Sequence, residues 1–169
     1  GGVGKTTAAK AIYNKIHHNF QFKCFLADVS DTVSKYGLIY LQEQLVSNIL
    51  KPTTKFQINS VDAGIGVIKQ HLRRRIVLLV IDDVETVGQL NAIVGNRDWF
   101  GPGNIILITR YEHLLNQWKV NMRYPAWVMN EEEALELFSW HAFGNSLPNE
   151  EYHELSKKVV SYCGGVPLA

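Results

Sequence analysis

The first seven residues, Gly1-Gly2-Val3-Gly4-Lys5-Thr6-Thr7, combine what a phosphate group needs. Glycines let backbone N–H groups turn toward anionic oxygens, Lys5 adds a cation for β- and γ-phosphates, and the Thr6 hydroxyl can ligand Mg²⁺. A helical pattern follows directly, so the positive end of that helix would face the same anion. The spacing matches the right-hand part of the pattern GxxxxGK followed by Ser or Thr, whose first glycine would lie before Gly1. All seven residues are candidate phosphate binders, with Thr6 also a candidate metal ligand.

A second constellation lies at Ile76 to Val84, where Asp82-Asp83 closes an almost continuous apolar run. A phosphate-loop enzyme needs a carboxylate at the end of a neighbouring buried strand to serve Mg²⁺. Asp82 is placed for that role, and Asp83 is the candidate catalytic residue, orienting or deprotonating the attacking water. Paired carboxylates alone also fit a solvated turn; the loop upstream favours the metal reading. Arg110 follows the apolar stretch Ile105 to Ile108. An arginine at a strand's carboxyl end can reach a γ-phosphate, or it can be a surface residue paired with an acid such as Glu112.

These residues must be positioned by alternating strands and helices. Ala8, Ala11, Ile12, Lys15 and Ile16 fall at helical spacing after the loop. Phe22 to Val29 is β-prone, and Ile76 to Val84 reads as a strand buried on both faces, as in parallel sheets. Ile105 to Ile108 predicts a third strand and Ala126 to Met129 a fourth. Leu38 to Leu50 reads as a helix after the Gly37 break and ends at Pro52-Thr53-Thr54. Val61 to Leu72 and Val87 to Val94 read as further helices, and Gly101-Pro102-Gly103 as a turn. Asn130 with Glu133 is a capping box for a helix whose Ala134, Leu137, Phe138 and His141 line one face. A last helix runs from about Glu150 to Tyr162, with Tyr152, Leu155 and Val159 inward and Gly164-Gly165 as its C-cap.

The pattern predicts an α/β fold: a parallel sheet with flanking helices, then the start of a helical annex. The expected division is 1–129 for the phosphate-binding part and 130–169 for the annex. The strand feeding the loop would precede Gly1, so the chain reads as a fragment that would be unstable alone.

Composition narrows the function classes. The 169 residues are 46% hydrophobic and 20% charged, with 17 Lys and Arg against 16 Asp and Glu. A net charge of +1 argues against bulk attachment to nucleic acid or an acidic membrane. Arg73-Arg74-Arg75 lacks an aromatic platform and reads as a solvated loop. No apolar run approaches the roughly 20 residues of a membrane helix. Cys24 and Cys163 are too far apart for a disulfide framework or a metal knuckle, and Cys24 reads as a small core residue. Trp140 and Phe143 read as packing residues, and the six histidines show no metal spacing.

In order along the chain, GGVGKTT, FLADVSD, LLVIDDVE, WFGPGNIILITR, EEALELFSWHAF and CGGVPLA occur. Together they resemble the successive motifs of the NB-ARC domain of plant NBS-LRR disease-resistance proteins, over essentially the whole chain. Glu85 after Asp-Asp-Val, FLADV and WFGPG are similar to the class with an N-terminal TIR domain. The resemblance implies a P-loop NTPase of the STAND and AAA type with a helical ARC subdomain beginning at 130. It also implies that Gly1, Gly2, Val3, Gly4, Lys5, Thr6 and Thr7 hold ADP or ATP, with Thr6 and Asp82 on Mg²⁺ and Asp83 in hydrolysis. Arg110 would sense the γ-phosphate and Pro167 would pack near the adenine. Gly103-Asn104-Ile105 is one residue shorter than the family's usual Gly-Ser-Arg-Ile, and Val166 replaces a common leucine.

The implied function is a switch of a plant immune receptor, set by nucleotide exchange and slow ATP hydrolysis. Its enzymatic status would be that of a weak ATPase at most. The implied partners are TIR and leucine-rich-repeat domains of the same chain and further copies on activation, with no nucleic acid and no membrane span. The expected location is cytoplasmic. Two rivals are a turnover-coupled P-loop ATPase of another AAA or STAND class and an interaction module that has lost nucleotide binding.

Overall fold

The computed structural model describes residues 2–50, 57–73, 75–95 and 104–168. Gly1, the Pro52-Thr53-Thr54 helix stop, Arg74 and the Trp99 to Gly103 stretch lie outside the described residues. The chain forms two compact units. One is Thr6–Arg123; the other joins Gly1–Lys5 to Tyr124–Ala169.

The larger unit is a three-stranded parallel sheet in the order β1-β2-β3, with β1 at Phe22–Leu26, β2 at Val77–Ile81 and β3 at Asn104–Leu107. Registers Leu26↔Ile81 and Ile81↔Leu107 align the carboxyl ends of all three strands. Every β2 residue is fully buried, as its uninterrupted apolar sequence requires of a strand covered on both faces. On one face Cys24, Leu26, Leu79 and Ile81 pack with residues of α2 (Val29–Leu50), α3 (Val61–Leu72) and α4 (Val87–Val94). On the other, Val80 and Ile108 meet Ala9 and Tyr13 of α1 (Lys5–Ile16). Alternate strand residues thus serve opposite layers.

Helix limits follow local chemistry. Ser60 caps α3, its side chain accepting from Ala63 N, and Thr86 closes a reciprocal capping box with Gln89 on α4. Gly37, at φ 83°, breaks the helical run inside α2. The helix begins earlier than its leucine pattern predicts, at Val29, because the predicted Phe22–Val29 strand stops at Leu26. Asp28 adopts φ +48° there and turns the chain. A short helix that no apolar repeat in the sequence marks, α5 (Glu112–Gln117), follows β3.

In the smaller unit, Asn130 and Glu133 form the predicted capping box of α6 (Glu131–Phe143), and Gly144 closes it in the left-handed conformation. A 3₁₀ turn at Glu150–Tyr152 leads into α7 (His153–Cys163), which Gly164 ends at φ 59°. Three expectations need correction. The stretch Ala126 to Met129 forms no strand: Met129 N donates to Gly165 O instead of to a sheet neighbour. The buried face of α7 is Ser156 and Val160, one residue round from the predicted Tyr152, Leu155 and Val159, and Leu155 is 59% exposed. On the predicted face of α6, Ala134, Leu137 and Phe138 are half-buried, but His141 is exposed; the fully buried residue is Ser139, and Trp140 is 55% exposed. Each helix buries a serine, and Ser139 satisfies its hydroxyl within its own helix by donating to Leu135 O, which apolar periodicity does not register. Phe143 does pack, against Phe138 and stacked on Tyr152.

Candidate functional site

The loop residues Gly2 and Gly4 have φ of 87° and 82°, a region that glycine enters without the Cβ penalty. A Cβ on Gly2 would stand 3.0 Å from Val166 Cγ1 and 3.5 Å from Leu168 Cβ. The loop therefore lies against the segment that contains Pro167, within one compact unit. Gly165, at φ 72°, anchors that segment, since a Cβ there would collide with Met129 O. Val3 lies in the bend and Lys5 opens α1. The first turn of α1 carries no acidic residue, leaving the helix's positive end to an incoming anion. Thr7 is exposed on that turn.

Thr6 reaches across to the strand carboxylate. Its Oγ1 donates to Asp82 Oδ2 at 2.8 Å, between residues 76 positions apart in sequence. Both backbone polar groups of Asp82 are bonded to the β1–α2 connection, its N–H donating to Leu26 O and its carbonyl accepting from Val29 N. Asp82 is 1% exposed. Burial pushes its carboxyl above the usual range; the Thr6 hydrogen bond opposes the rise, and the nearby Asp28 and Asp83 charges add to it. A hydroxyl and a buried carboxylate at this separation are the hard oxygen donors Mg²⁺ takes, usually one or two from protein and the rest from phosphates and water. A cation there would also relieve the cost of keeping Asp82 ionised.

Asp83 takes φ +59°, like Asp28 at the end of the adjacent strand. Such conformations cost about 1–3 kcal/mol each and persist where surrounding structure imposes them. Here Ser30 N donates to Asp83 O and Thr32 N to Asp28 O. Arg110 Nη2 donates to Asp83 Oδ1 at 3.2 Å, to Asp83 Oδ2 at 3.5 Å and to Glu85 Oε1 at 3.4 Å. The alternative partner Glu112 pairs instead with Arg123. Arg110 reaches these acids because the chain after β3 is bonded to the chain after β2. Ile108 N donates to Ile81 O, Val84 N to Ile108 O, and Thr109 Oγ1 to Val84 O.

The larger unit therefore gathers Thr6, Asp82, Asp83 and Arg110 at the carboxyl ends of the strands, where open α/β sheets collect ligands. In the smaller unit Gly2 lies against Val166 and Leu168, the residues flanking Pro167. Neither Asp28 nor Glu85 is marked as a site residue by the sequence pattern. Only the strand register brings Asp28 beside Asp82, and only the fold brings Glu85 under Arg110.

A family profile described as the NB-ARC domain matches residues 1–148. The chain is 43% identical over its whole length to disease resistance protein RUN1 of Vitis rotundifolia, covering 13% of that protein. It is 37% identical, again over its whole length, to TMV resistance protein N of Nicotiana glutinosa, covering 15% of it. With disease resistance protein RML1B of Arabidopsis thaliana it shares 34% identity over 99% of the chain and 16% of the relative. The chain thus spans about a seventh of the length of the relatives it matches.

Proposed function

Because this chain belongs to the NB-ARC domain family, we propose that it is the ADP- and ATP-binding switch of a plant immune receptor of the TIR class. The observation that carries the reading is the hydrogen bond from Thr6 Oγ1 to the buried Asp82 carboxylate. It joins the end of a phosphate loop to the end of a buried parallel strand, the two parts a magnesium-nucleotide needs together. The relatives are disease-resistance and virus-resistance proteins, and they supply the immune context.

In this reading Gly1, Gly2, Val3, Gly4 and Thr7 shape the phosphate cradle, Lys5 neutralises the phosphates and Pro167 packs near the base. Thr6 and Asp82 would hold Mg²⁺, which supplies charge neutralisation on the phosphate oxygens when bound. Asp83 orients the attacking water in a slow hydrolysis that resets the switch. Arg110 meets the γ-phosphate, so ATP and ADP favour different states through their differing contacts. We assign the sheet part to 1–129 and the beginning of the ARC subdomain to 130–169. Leucine-rich-repeat and TIR domains, self-association on activation and a cytoplasmic site of action complete the proposal. No described helix is long and apolar enough to cross a membrane.

Nucleotide titration of the complete protein and its Lys5→Ala variant tests the reading. The variant is expected to lose tight binding of both ADP and ATP, because Lys5 is the cation of the cradle. Unchanged affinity would remove the assignment. A measured slow turnover separates the switch from a turnover-coupled ATPase, and wild-type binding separates it from an interaction module that has lost nucleotide.

A further inference from the structure

Arg110 does not wait in open solvent for a ligand. Among the described residues its ion pairs all run through one nitrogen, Nη2, which is shared by the carboxylates of Asp83 and Glu85 at 3.2 and 3.4 Å. We propose that Glu85, together with Asp83, holds Arg110 in a clamp that a γ-phosphate must open, so that Glu85 sets the site's preference for nucleoside triphosphate over diphosphate. The inference rests on the reading above that Arg110 meets the γ-phosphate, and it gives Glu85 a positioning role that reading does not contain.

The backbone around the clamp is fixed. Gln89 Oε1 accepts from both Glu85 N and Thr86 N, at 2.8 and 3.2 Å. Thr109 Oγ1, while donating to Val84 O, also accepts from Tyr111 N. What can move is therefore the side chains. The arginine side chain is 47% exposed and each carboxylate 34%, so water and salt weaken the pairing. The contacts are long and use one corner of a guanidinium whose fork suits two-point binding of a phosphate. A γ-phosphate offers that second point and a higher charge, and it draws Arg110 away. ADP offers no γ-phosphate and leaves the clamp closed. Opening strands two carboxylates near a new anion, and Glu85 is half of that opposition. Neutralising Glu85 lowers the cost of opening for ATP without touching the groups assigned to the phosphates that ADP shares.

The test measures dissociation constants for ADP and a non-hydrolysable ATP analogue on the complete protein, as wild type, Glu85→Gln, Arg110→Ala and the double variant. Glu85→Gln is expected to tighten the analogue about two- to fivefold, the range of an exposed ion pair, with ADP unchanged. Undiminished ADP binding also reports an intact fold. In the Arg110→Ala background the same substitution is expected to be silent, and raising the salt concentration is expected to shrink the wild-type difference. Glu85→Asp, which keeps the charge on a shorter arm, is the second probe and is expected to fall between wild type and Glu85→Gln. Equal changes for both nucleotides, no change for the analogue, or an effect that survives without Arg110 would overturn the inference. Wild-type protein that binds neither nucleotide, or binding indifferent to Lys5→Ala, would instead bring down the nucleotide reading beneath it.

Discussion

Asp82 shows how a buried carboxylate stands at odds with stability. Its folded-state pKa is raised by burial, so the folded protein holds this proton more tightly than the unfolded chain. Stability attributed to this group is therefore greatest below the ordinary carboxylate pKa and declines as pH rises through the raised value. Asp82→Asn keeps an oxygen to accept from Thr6 and removes the charge. The variant is expected to melt at a higher temperature than wild type at pH 7 without nucleotide, and the gap is expected to narrow in acid. Thermal melts at pH 4 and pH 7 check this. The same variant is expected to lose magnesium-dependent nucleotide binding, a conflict common where a site keeps a costly group. Its neighbour separates binding from chemistry. Asp83 carries the assigned hydrolytic role, so Asp83→Ala is expected to slow single-turnover hydrolysis more than it weakens ATP affinity, and Asp82→Ala to do the reverse. Exchanged phenotypes would exchange the roles.

Between elements, one buried amide ties three helices of the larger unit. Gln42 of α2 is fully buried, and its Nε2 donates to Val61 O at 3.0 Å and to Ala92 O at 2.8 Å. Those bonds reach the start of α3 and the far end of α4. Gly64 faces the same amide, and a Cβ there would run into the Gln42 side chain. The amide can retreat only by giving up its hydrogen bonds. Overpacking of this kind costs about 1–3 kcal/mol, against roughly 0.8–1.0 kcal/mol gained when alanine replaces glycine in a helix. Gly64→Ala is therefore expected to lower the melting temperature. Gly66, on the same helix with open space around it, is the matched control, and Gly66→Ala is expected to raise it. Chemical denaturation of both variants gives the sign directly. A sequence reader sees two glycines diluting one helix; only the packing distinguishes them.

For the whole molecule the proposed ligand is also a stabiliser. A nucleotide bound to the folded state at about a hundredfold excess over its dissociation constant adds roughly 2.7 kcal/mol. At about 2–4 °C per kcal/mol for a chain of this size, ADP is expected to raise the melting temperature by about 5–11 °C, and Lys5→Ala to abolish the rise. The alternation of apolar runs and helical repeats, with GKTT at one end and Asp-Asp at a strand end, determined the α/β class and most elements. It did so because phosphate loops, buried parallel strands and helix caps are local chemistry written in adjacent residues. Asn130 with Glu133 shows how far that reaches, since the capping box is legible in four residues and forms as read. Where a choice depended on distant neighbours, the tertiary structure decided it. Ala126 to Met129 has strand-like residues but no sheet partner, and α7 buries Ser156 while Leu155 stays 59% exposed, a choice set by what packs on the helix and not by its own apolar pattern. Register decided the rest: aligning Leu26 with Ile81 and Ile81 with Leu107 brings Asp28, Asp82, Asp83, Glu85 and Arg110 to one end of the sheet, and no spacing along the chain encodes which acid an arginine will meet across it.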